Sequence, residues 1–145
     1  MVKNAKKKIL LIEDDAFLAK MYQTKLTKSG YQVIVALDGK SGYQKIVRQR
    51  PDLILLDLVL PVMSGQEILM KICQQPELQK IPVLVLTNVS QPEAIRDVWR
   101  YQVKEYMIKS QLNPSDIIKI INNYLYDFYL IMIYEIRITD TNLFD

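Results

Sequence analysis

Short, unbroken apolar runs constrain the possible fold of this chain more than any other feature. Three of them lie at residues 9–12, 53–56 and 83–86, and weaker runs lie at 31–36 and 106–108. An unbroken run of this length is typical of a strand buried on both faces, whereas a half-exposed strand alternates apolar with polar residues. The runs therefore predict a five-stranded parallel sheet that is covered on both sides.

Helical patterns separate the predicted strands. Apolar residues at helical spacing over residues 17–26 predict the first helix, and four polar start signals predict the others. These signals are Asp38 for a helix running to about residue 49, capping boxes at 64–67 and 90–93, and Asn113 followed by Pro114. The alternation predicts an α/β fold with a doubly wound parallel sheet, and right-handed crossovers put helices on both faces.

Length and composition fit one domain. The chain has 145 residues, of which 50% are hydrophobic, enough for a real core. Much of the small net charge of +3 comes from Lys3, Lys6, Lys7 and Lys8. We interpret residues 1–7 as a basic, solvated N-terminal arm rather than a nucleic-acid patch. The single cysteine, Cys73, excludes an internal disulfide and fits a reducing compartment.

No membrane segment is expected. The longest apolar-rich stretch, residues 128–138, is too short to span a bilayer and contains Glu135 and Arg137. No secretory signal is predicted, because the first lysines lead into only a short apolar run. We therefore expect a soluble cytoplasmic protein. The absence of histidine excludes histidine-based acid–base catalysis, histidine metal ligation and a phosphohistidine carried by this chain.

Polar, reactive side chains follow four of the predicted strands. Ligand sites of doubly wound sheets lie outside the carboxyl ends of the strands, so these side chains should share one rim. Three consecutive acids follow the first strand. The third, fourth and fifth strands end at an aspartate, a threonine and a lysine, respectively. The rim residues are Glu13, Asp14, Asp15, Asp57, Thr87 and Lys109.

The charges of these side chains indicate a chemistry for the rim. Two carboxylates about 4 Å apart repel by roughly 4 kcal/mol at an effective dielectric of about 20, so a cation is expected. Oxygen ligands with open positions suit Mg²⁺, which often shares a phosphate. Lys109 could bind a phosphoryl oxygen, Thr87 could donate its hydroxyl to the same group, and Asp57 could form an aspartyl phosphate. Singly, each residue fits a solvated turn, a cap, a strand end or a surface lysine; their joint placement favours a functional site.

The sequence resembles the receiver domain of bacterial two-component response regulators of the stand-alone, chemotaxis-regulator-like kind. The matching stretches are ILLIEDD, PDLILLDLVLPVMSGQE, IPVLVLTN and YMIKS, in that order. They frame residues 8–126, which we expect to form the receiver domain. The resemblance implies a flavodoxin-like sheet with strand order 2-1-3-4-5.

The resemblance also implies a metal site and its ligands. Asp57 corresponds to the phosphorylated aspartate, and Mg²⁺ is the implied cofactor. Asp14 corresponds to the direct metal ligand, Glu13 to an acid acting largely through a metal-bound water, and the backbone carbonyl of Val59 to the remaining protein ligand. Asp15 fits the start of the first helix better than the metal.

The other implied roles describe a switch. Thr87 and Lys109 correspond to the hydroxyl and lysine that sense the phosphoryl group, and Tyr106 to the aromatic side chain that changes rotamer on activation. The implied protein is a phosphorylation-dependent signalling switch, not an enzyme, that assists its own aspartyl phosphorylation and dephosphorylation. Its donor would be a histidine kinase or phosphotransfer protein. Its downstream protein target would bind the face of helix 4, strand 5 and helix 5, without direct binding of nucleic acid or membrane.

Four residues in three short segments depart from the family pattern. Each predicts a local difference: a less fixed lysine loop, a different turn before the fifth strand, and narrower access to the site. The residues concerned are Ser110 in place of proline, Gln102 with Val103 in place of Gly-Ala, and Asn88 in place of a small residue.

Two further positions bear on the lifetime of the phosphoryl group. Val59 and Val89 stand where the family tunes that lifetime. Because two apolar side chains cannot orient an attacking water, we hypothesise slow self-dephosphorylation.

Residues 127–145 form an apolar tail. Tyr134, Ile136 and Ile138 alternate with polar residues, which predicts a strand, although the preceding residues could instead lengthen the fifth helix. An apolar tail should be buried, so we favour an added packing element or a homodimer contact. The tail is too short for a helix-turn-helix domain, and the sequence therefore predicts a stand-alone receiver.

Other classes of protein fit less well. Phosphatases with an aspartate nucleophile usually carry a second aspartate where this chain has Val59. Gly-Lys-Ser at residues 39–41 suggests a P-loop, but Ile34 stands where the first glycine belongs. No Gly-x-Gly-x-x-Gly motif marks a dinucleotide site, and a flavin-binding protein has no need of the acids and lysine on the rim. The remaining alternative is a phosphorylation-independent interaction module with the receiver fold.

Overall fold

Five strands alternate with five helices in the part of the chain that the structure describes. The structure is a computed structural model and describes residues 6–125. The strands are β1 (Lys8–Ile12), β2 (Gln32–Ala36), β3 (Leu53–Leu56), β4 (Val83–Thr87) and β5 (Glu105–Ile108). The helices are α1 (Ala16–Lys28), α2 (Gly39–Gln49), α3 (Gly65–Cys73), α4 (Pro92–Trp99) and α5 (Pro114–Leu125), with a 3-10 turn at Lys109–Gln111.

The strands are all parallel and lie in the order β2-β1-β3-β4-β5, which confirms the predicted α/β fold. Ile12 at the end of β1 pairs with Ala36 of β2 and Leu56 of β3. Thr87 at the end of β4 pairs with Ile108 of β5. The strands therefore end close to one level, and the residues that follow them meet at one side of the sheet, which we call the carboxyl edge.

Two apolar layers cover the sheet, one on each face. Leu10 and Ile12 pack with residues of α2, α3 and α4, whereas Ile9 and Leu11 pack with residues of α1 and α5. Strands β1, β3 and β4 are almost completely buried, as their unbroken apolar runs predict. Full burial of one such side chain stabilises the fold by about 1.5–3 kcal/mol, so the central strands hold their carboxyl ends in fixed positions.

Side chains cap four of the helices where the sequence predicts helix starts. The cap oxygen accepts a backbone N–H in each case, and the caps are Asp15 (2.9 Å to Phe17 N), Asp38 (2.7 Å to Ser41 N), Ser64 (3.2 Å to Glu67 N) and Asn113 (3.0 Å to Asp116 N). The predicted capping box at residues 90–93 is wrong, because α4 begins at Pro92 after Gln91 and has no side-chain cap. Proline is favoured at the first helical position, and it moves the start one residue along the chain.

Among the described residues, three that are not glycine have a positive φ. They are Arg50 (45°), Val62 (72°) and Gln102 (60°). Gln102 lies in the turn before β5 and takes a left-handed conformation that glycine adopts without steric cost. Val62 is more strained than Gln102, because a side chain branched at Cβ is poorly tolerated at positive φ.

Two of the predicted segments lie wholly or mainly outside the described residues. Of the basic arm 1–7, the structure describes only Lys6 and Lys7, which are exposed. The tail 127–145, with its predicted strand or helix extension, lies outside, and the boundaries 8–126 stay a prediction. None of the described helices is long and apolar enough to cross a membrane.

Candidate functional site

Three carboxylates from two strand ends meet at the carboxyl edge. Glu13 and Asp14 follow β1, Asp57 follows β3, and one oxygen of each lies within 4.8 Å of the others. Glu13 is 2% exposed and Asp57 is 6% exposed, whereas Asp14 faces solvent. The backbone N–H of Asp57 donates to the carbonyl of Ile12 over 3.0 Å, which ties the two strand ends together. The predicted acids thus form one cluster with two buried members and one exposed member.

Lys109 brings its ammonium group to the two buried acids. Its Nζ lies 2.6 Å from Asp57 Oδ2 and also donates to Glu13 Oε1. The side chain starts from the 3-10 turn after β5 and is only 11% exposed. A buried charge is costly without a partner, so this cation offsets the repulsion between the carboxylates. The two ion pairs fix the position of the Lys109 side chain, although the next residue is Ser110 rather than the proline of the family pattern.

Thr87 and a backbone amide complete the contacts of Asp57. The fully buried Thr87 donates from Oγ1 to Asp57 Oδ1 over 2.8 Å, and Val59 N donates to the same oxygen over 3.2 Å. Within residues 6–125 no buried side-chain nitrogen or oxygen lacks a hydrogen-bond partner. The Asp57 carboxylate is therefore oriented by hydrogen bonds to one oxygen and by an ion pair to the other.

Asp15 stands apart from the acid cluster. Its Oδ1 accepts from Phe17 N and Leu18 N and caps α1, as the sequence predicts. Its own N–H donates to Glu13 Oε2 over 3.3 Å. The backbone N–H of Asp15 therefore helps to hold Glu13 in place, while the Asp15 carboxylate caps α1.

Burial and pairing decide the charge states of the acids and the lysine. Burial raises the pKa of Glu13, and the hydrogen bond and charge of Lys109 oppose the rise. Burial by itself lowers the pKa of Lys109, but the hydrogen bonds and charges of Asp57 and Glu13 together raise it above the ordinary value. Lys109 is therefore a cation at neutral pH, while Glu13 takes up a proton more readily than an exposed glutamate.

Tyr106 lies beside the site on β5. Its ring packs against the layer that contains α2, α3 and α4, and its hydroxyl donates to the carbonyl of Val89 over 2.6 Å. Burial, and then the charge of Asp57, raises its pKa. The predicted change of rotamer stays a prediction; in this structure the bond to Val89 holds the side chain inward.

The surroundings of the acids are partly apolar. Val59 is 64% exposed, and Asn88 is exposed at the rim beside a groove that also reaches Lys109 and Leu18. Asn88 therefore lines this groove together with Lys109, and its effect on access to the acids stays a prediction. The metal-ligand role of the Val59 carbonyl and the effect of Val59 and Val89 on phosphoryl lifetime stay predictions.

Sequence reasoning missed two residues in the loop between β3 and α3. A Cβ at Gly65 would lie 2.5 Å from the carbonyl oxygen of Asp57 and 2.6 Å from Leu58 Cα, so a glycine lets α3 begin this close to Asp57. Val62 takes its left-handed conformation in the same loop. Gly65 follows the predicted cap Ser64, so its position in the sequence indicates a helix start. It does not indicate the close contact with the backbone of Asp57 and Leu58. A branched residue such as Val62 gives no signal for positive φ.

The fold and this site define a receiver domain, and the chain belongs to that family. The family described as response regulator receiver domain matches residues 9–122. This range includes β2 to β5, all of β1 except Lys8, and every predicted site residue. This domain is the signalling receiver of a response regulator in a two-component system.

Relatives of known identity are response regulators. The chain is 41% identical over 83 residues to the alkaline phosphatase synthesis transcriptional regulatory protein PhoP of Bacillus subtilis, covering 56% of this chain and 33% of PhoP. It is 35% identical over 127 residues to response regulator Rcp1 of Synechocystis, covering 81% of this chain and 86% of Rcp1. The crystal structure of the phosphorylated cyanobacterial phytochrome response regulator RcpA is 34% identical, with a TM-score of 0.74 and coverage of 85% and 96%. The chain spans only part of the length of some curated relatives. It covers 33% of PhoP and 56% of another relative.

Proposed function

We propose that this receiver is a phosphorylation-dependent switch in which Asp57 accepts a phosphoryl group from a phosphohistidine donor. The supporting observation is a buried carboxylate that Thr87 and Lys109 contact on separate oxygens, beside two further acids. The related RcpA structure is of a phosphorylated regulator. The fold brings these groups together from four strand ends.

The three acids fit a magnesium ion. Their oxygens lie within 4.8 Å of one another, and the exposure of Asp14 leaves room for water or phosphate ligands. Asp14, Asp57 and the backbone carbonyl of Val59 would hold the ion directly, and Glu13 would contribute through a bound water. When bound, Mg²⁺ supplies positive charge that stabilises the transferred phosphoryl group.

Asp57 supplies the nucleophile for the transfer. One carboxylate oxygen forms a bond to phosphorus while the bond from phosphorus to the donor's imidazole nitrogen breaks, and that nitrogen keeps the electron pair. Lys109 then binds one phosphoryl oxygen as a point charge, and the Thr87 hydroxyl donates to another. Both groups already touch Asp57, so they need only short movements.

The structural effect of phosphorylation would be transmitted to the protein surface through the segment after β4. Thr87 Oγ1 accepts from Val89 N over 3.4 Å, and the Val89 carbonyl accepts from Tyr106. A movement of Thr87 toward the phosphoryl group would therefore shift Val89 and bias the rotamer of Tyr106. The downstream protein target would bind the adjoining face of α4, β5 and α5.

The phosphohistidine donor must lie outside these 145 residues, because they contain no histidine. A histidine kinase or a phosphotransfer protein supplies the phosphohistidine that the proposal requires. We assign the protein to the cytoplasm, where its single cysteine would stay reduced. Signalling would run through protein contacts, without direct binding of nucleic acid.

The test uses beryllofluoride, a non-covalent mimic of a phosphoryl group on a carboxylate, with amide resonances of the full chain as the readout. We expect the amides of Thr87, Val89 and Tyr106 to shift only when beryllofluoride and Mg²⁺ are both present. Asp57→Asn should abolish the shifts, whereas Asp52→Asn at the opposite edge of the sheet should not. An Asp57→Asn variant that responds like the wild type, or a wild type that does not respond, would favour the phosphorylation-independent interaction module.

A further inference from the structure

We propose that residues 126–145 pack along the outward face of α1 in the same chain. That face carries a stripe of residues at helical spacing that line one shallow groove: Phe17, Lys20, Met21, Thr24, Lys25 and Lys28. Phe17 is 80% exposed, the highest exposure among the large apolar side chains that the structure describes. An aromatic ring left in water beside Met21 marks a surface that another segment can cover.

The proposed segment leaves the domain at the end of this groove. Helix α5 ends at Leu125, and the side chain of Asn122 accepts a hydrogen bond from the hydroxyl of Tyr31, which follows α1 closely. Helices α1 and α5 pack side by side in the layer on one face of the sheet. The end of α5 at Leu125 therefore lies on the same side of the domain as Lys28, at the far end of the stripe from Phe17.

The segment is long enough to follow the whole stripe. Helix α1 has 13 residues and rises about 1.5 Å per residue, so it spans about 20 Å. An extended chain covers about 3.3 Å per residue, and about six residues are enough for that distance. The 20 residues from 126 to 145 can therefore turn back beyond α5 and still reach Phe17.

Charge distinguishes the α1 stripe from the exposed surface of α4. The stripe carries three lysines, and none of them forms a salt bridge with another described residue. The segment contains one arginine and four acids, which are Asp127, Glu135, Asp140 and Asp145. The α4 surface mixes both signs, and Arg100 there already pairs with Asp97. An acidic, apolar segment is therefore complementary to the basic stripe with its exposed aromatic ring.

A carbodiimide cross-link between a lysine and an acid reports this contact without any substitution. An equal mixture of ¹⁵N-labelled and unlabelled full-length chain would be cross-linked and analysed as peptides by mass spectrometry. We expect Lys20, Lys25 or Lys28 to join the acids of residues 126–145 within one isotopic species. Cross-links that combine the two species would overturn the proposal in favour of a second copy. Cross-links only to lysines elsewhere, or no cross-links from the segment, would also overturn it.

Hydrogen exchange of the segment provides the second measurement. Phe17→Ser, and separately the joint change of Lys20, Lys25 and Lys28 to Gln, should speed exchange of its most protected amides by about tenfold. The matched control changes Lys40, Lys80 and Lys104 to Gln and should leave these rates unchanged. Equal exchange in all variants contradicts the proposal. Neither measurement involves a phosphoryl group, so the result is independent of the proposed switch.

Discussion

Lys109 Nζ lies 2.6 Å from Asp57 Oδ2 and also pairs with Glu13, so one ammonium group joins two buried acids from different strand ends. This contact ties the end of β5 to the ends of β1 and β3. It helps the sheet to bury two carboxylates, because the cation offsets part of their negative charge. It also puts a cation beside the oxygens of the proposed phosphoryl acceptor.

Replacing Lys109 with methionine should lower the free energy of unfolding by about 3 kcal/mol at neutral pH. The variant leaves Glu13 and Asp57 close together and without their counter-ion. The loss should shrink in mildly acidic solution, because protonated acids no longer repel. Urea unfolding at the two pH values measures the effect, and Lys119→Met on the exposed side of α5 is the matched control. An equal loss in Lys109→Met at both pH values would contradict this electrostatic explanation.

Mg²⁺ binding should weaken as the pH falls, and Glu13 should cause the first part of the decline. Burial raises the pKa of Glu13, so its carboxylate takes up a proton at a higher pH than an ordinary glutamate. The same raised pKa means that Glu13 favours folding at pH values below the ordinary glutamate pKa, and that this contribution is lost as the pH rises through the raised value. Calorimetric titration with Mg²⁺ across this range should show the decline in wild type and a flatter profile in Glu13→Gln. Identical profiles would argue against a role for Glu13.

Loss of the phosphoryl group from Asp57 should be slow in the wild type. Val59 and Val89 offer no polar atom to orient water, and Val59 is 64% exposed beside Asp57. Changing Val59 to Asn together with Val89 to Gln should speed the loss on the order of tenfold or more, measured from the decay of the phosphorylated mass. Val62→Asn in the same loop is the control and should leave the rate close to wild type. The hypothesis is wrong if the double variant decays at the wild-type rate.

Val62→Gly should raise the free energy of unfolding by about 1 kcal/mol. Val62 has a φ of 72°, and the left-handed region is costly for a side chain branched at Cβ. Val59→Gly, at another exposed position but one without a positive φ, should not stabilise the protein. Urea midpoints of the two variants give the comparison. A Val62→Gly variant less stable than the wild type would show that side-chain contacts outweigh the backbone strain.

The sheet and the rim could be predicted because they depend on patterns that are local in sequence. Unbroken apolar runs mark β1, β3 and β4, and the parallel register then brings the polar residues after them to one edge. The predicted start of α4 is wrong by one residue. Ser90 and Pro92 compete as start signals, and the helix begins at the proline.

The missed features depend on contacts between distant residues. Gly65 is required by the carbonyl of Asp57 across the loop, and the inward position of Tyr106 is held by the carbonyl of Val89. The pairing of Lys109 with Glu13 as well as Asp57 spans most of the chain. Spacing along the sequence does not encode such distances.

Phosphorylation of Asp57 can be tested most directly by the intact mass of the protein after exposure to acetyl phosphate. The reaction would be run with Mg²⁺ and with a chelator, for the wild type and for Asp57→Asn. We predict the mass of one added phosphoryl group only in the wild type and only with Mg²⁺. An unmodified wild type in the presence of Mg²⁺, or the same added mass in Asp57→Asn, would contradict the assignment of Asp57 as the phosphoryl acceptor.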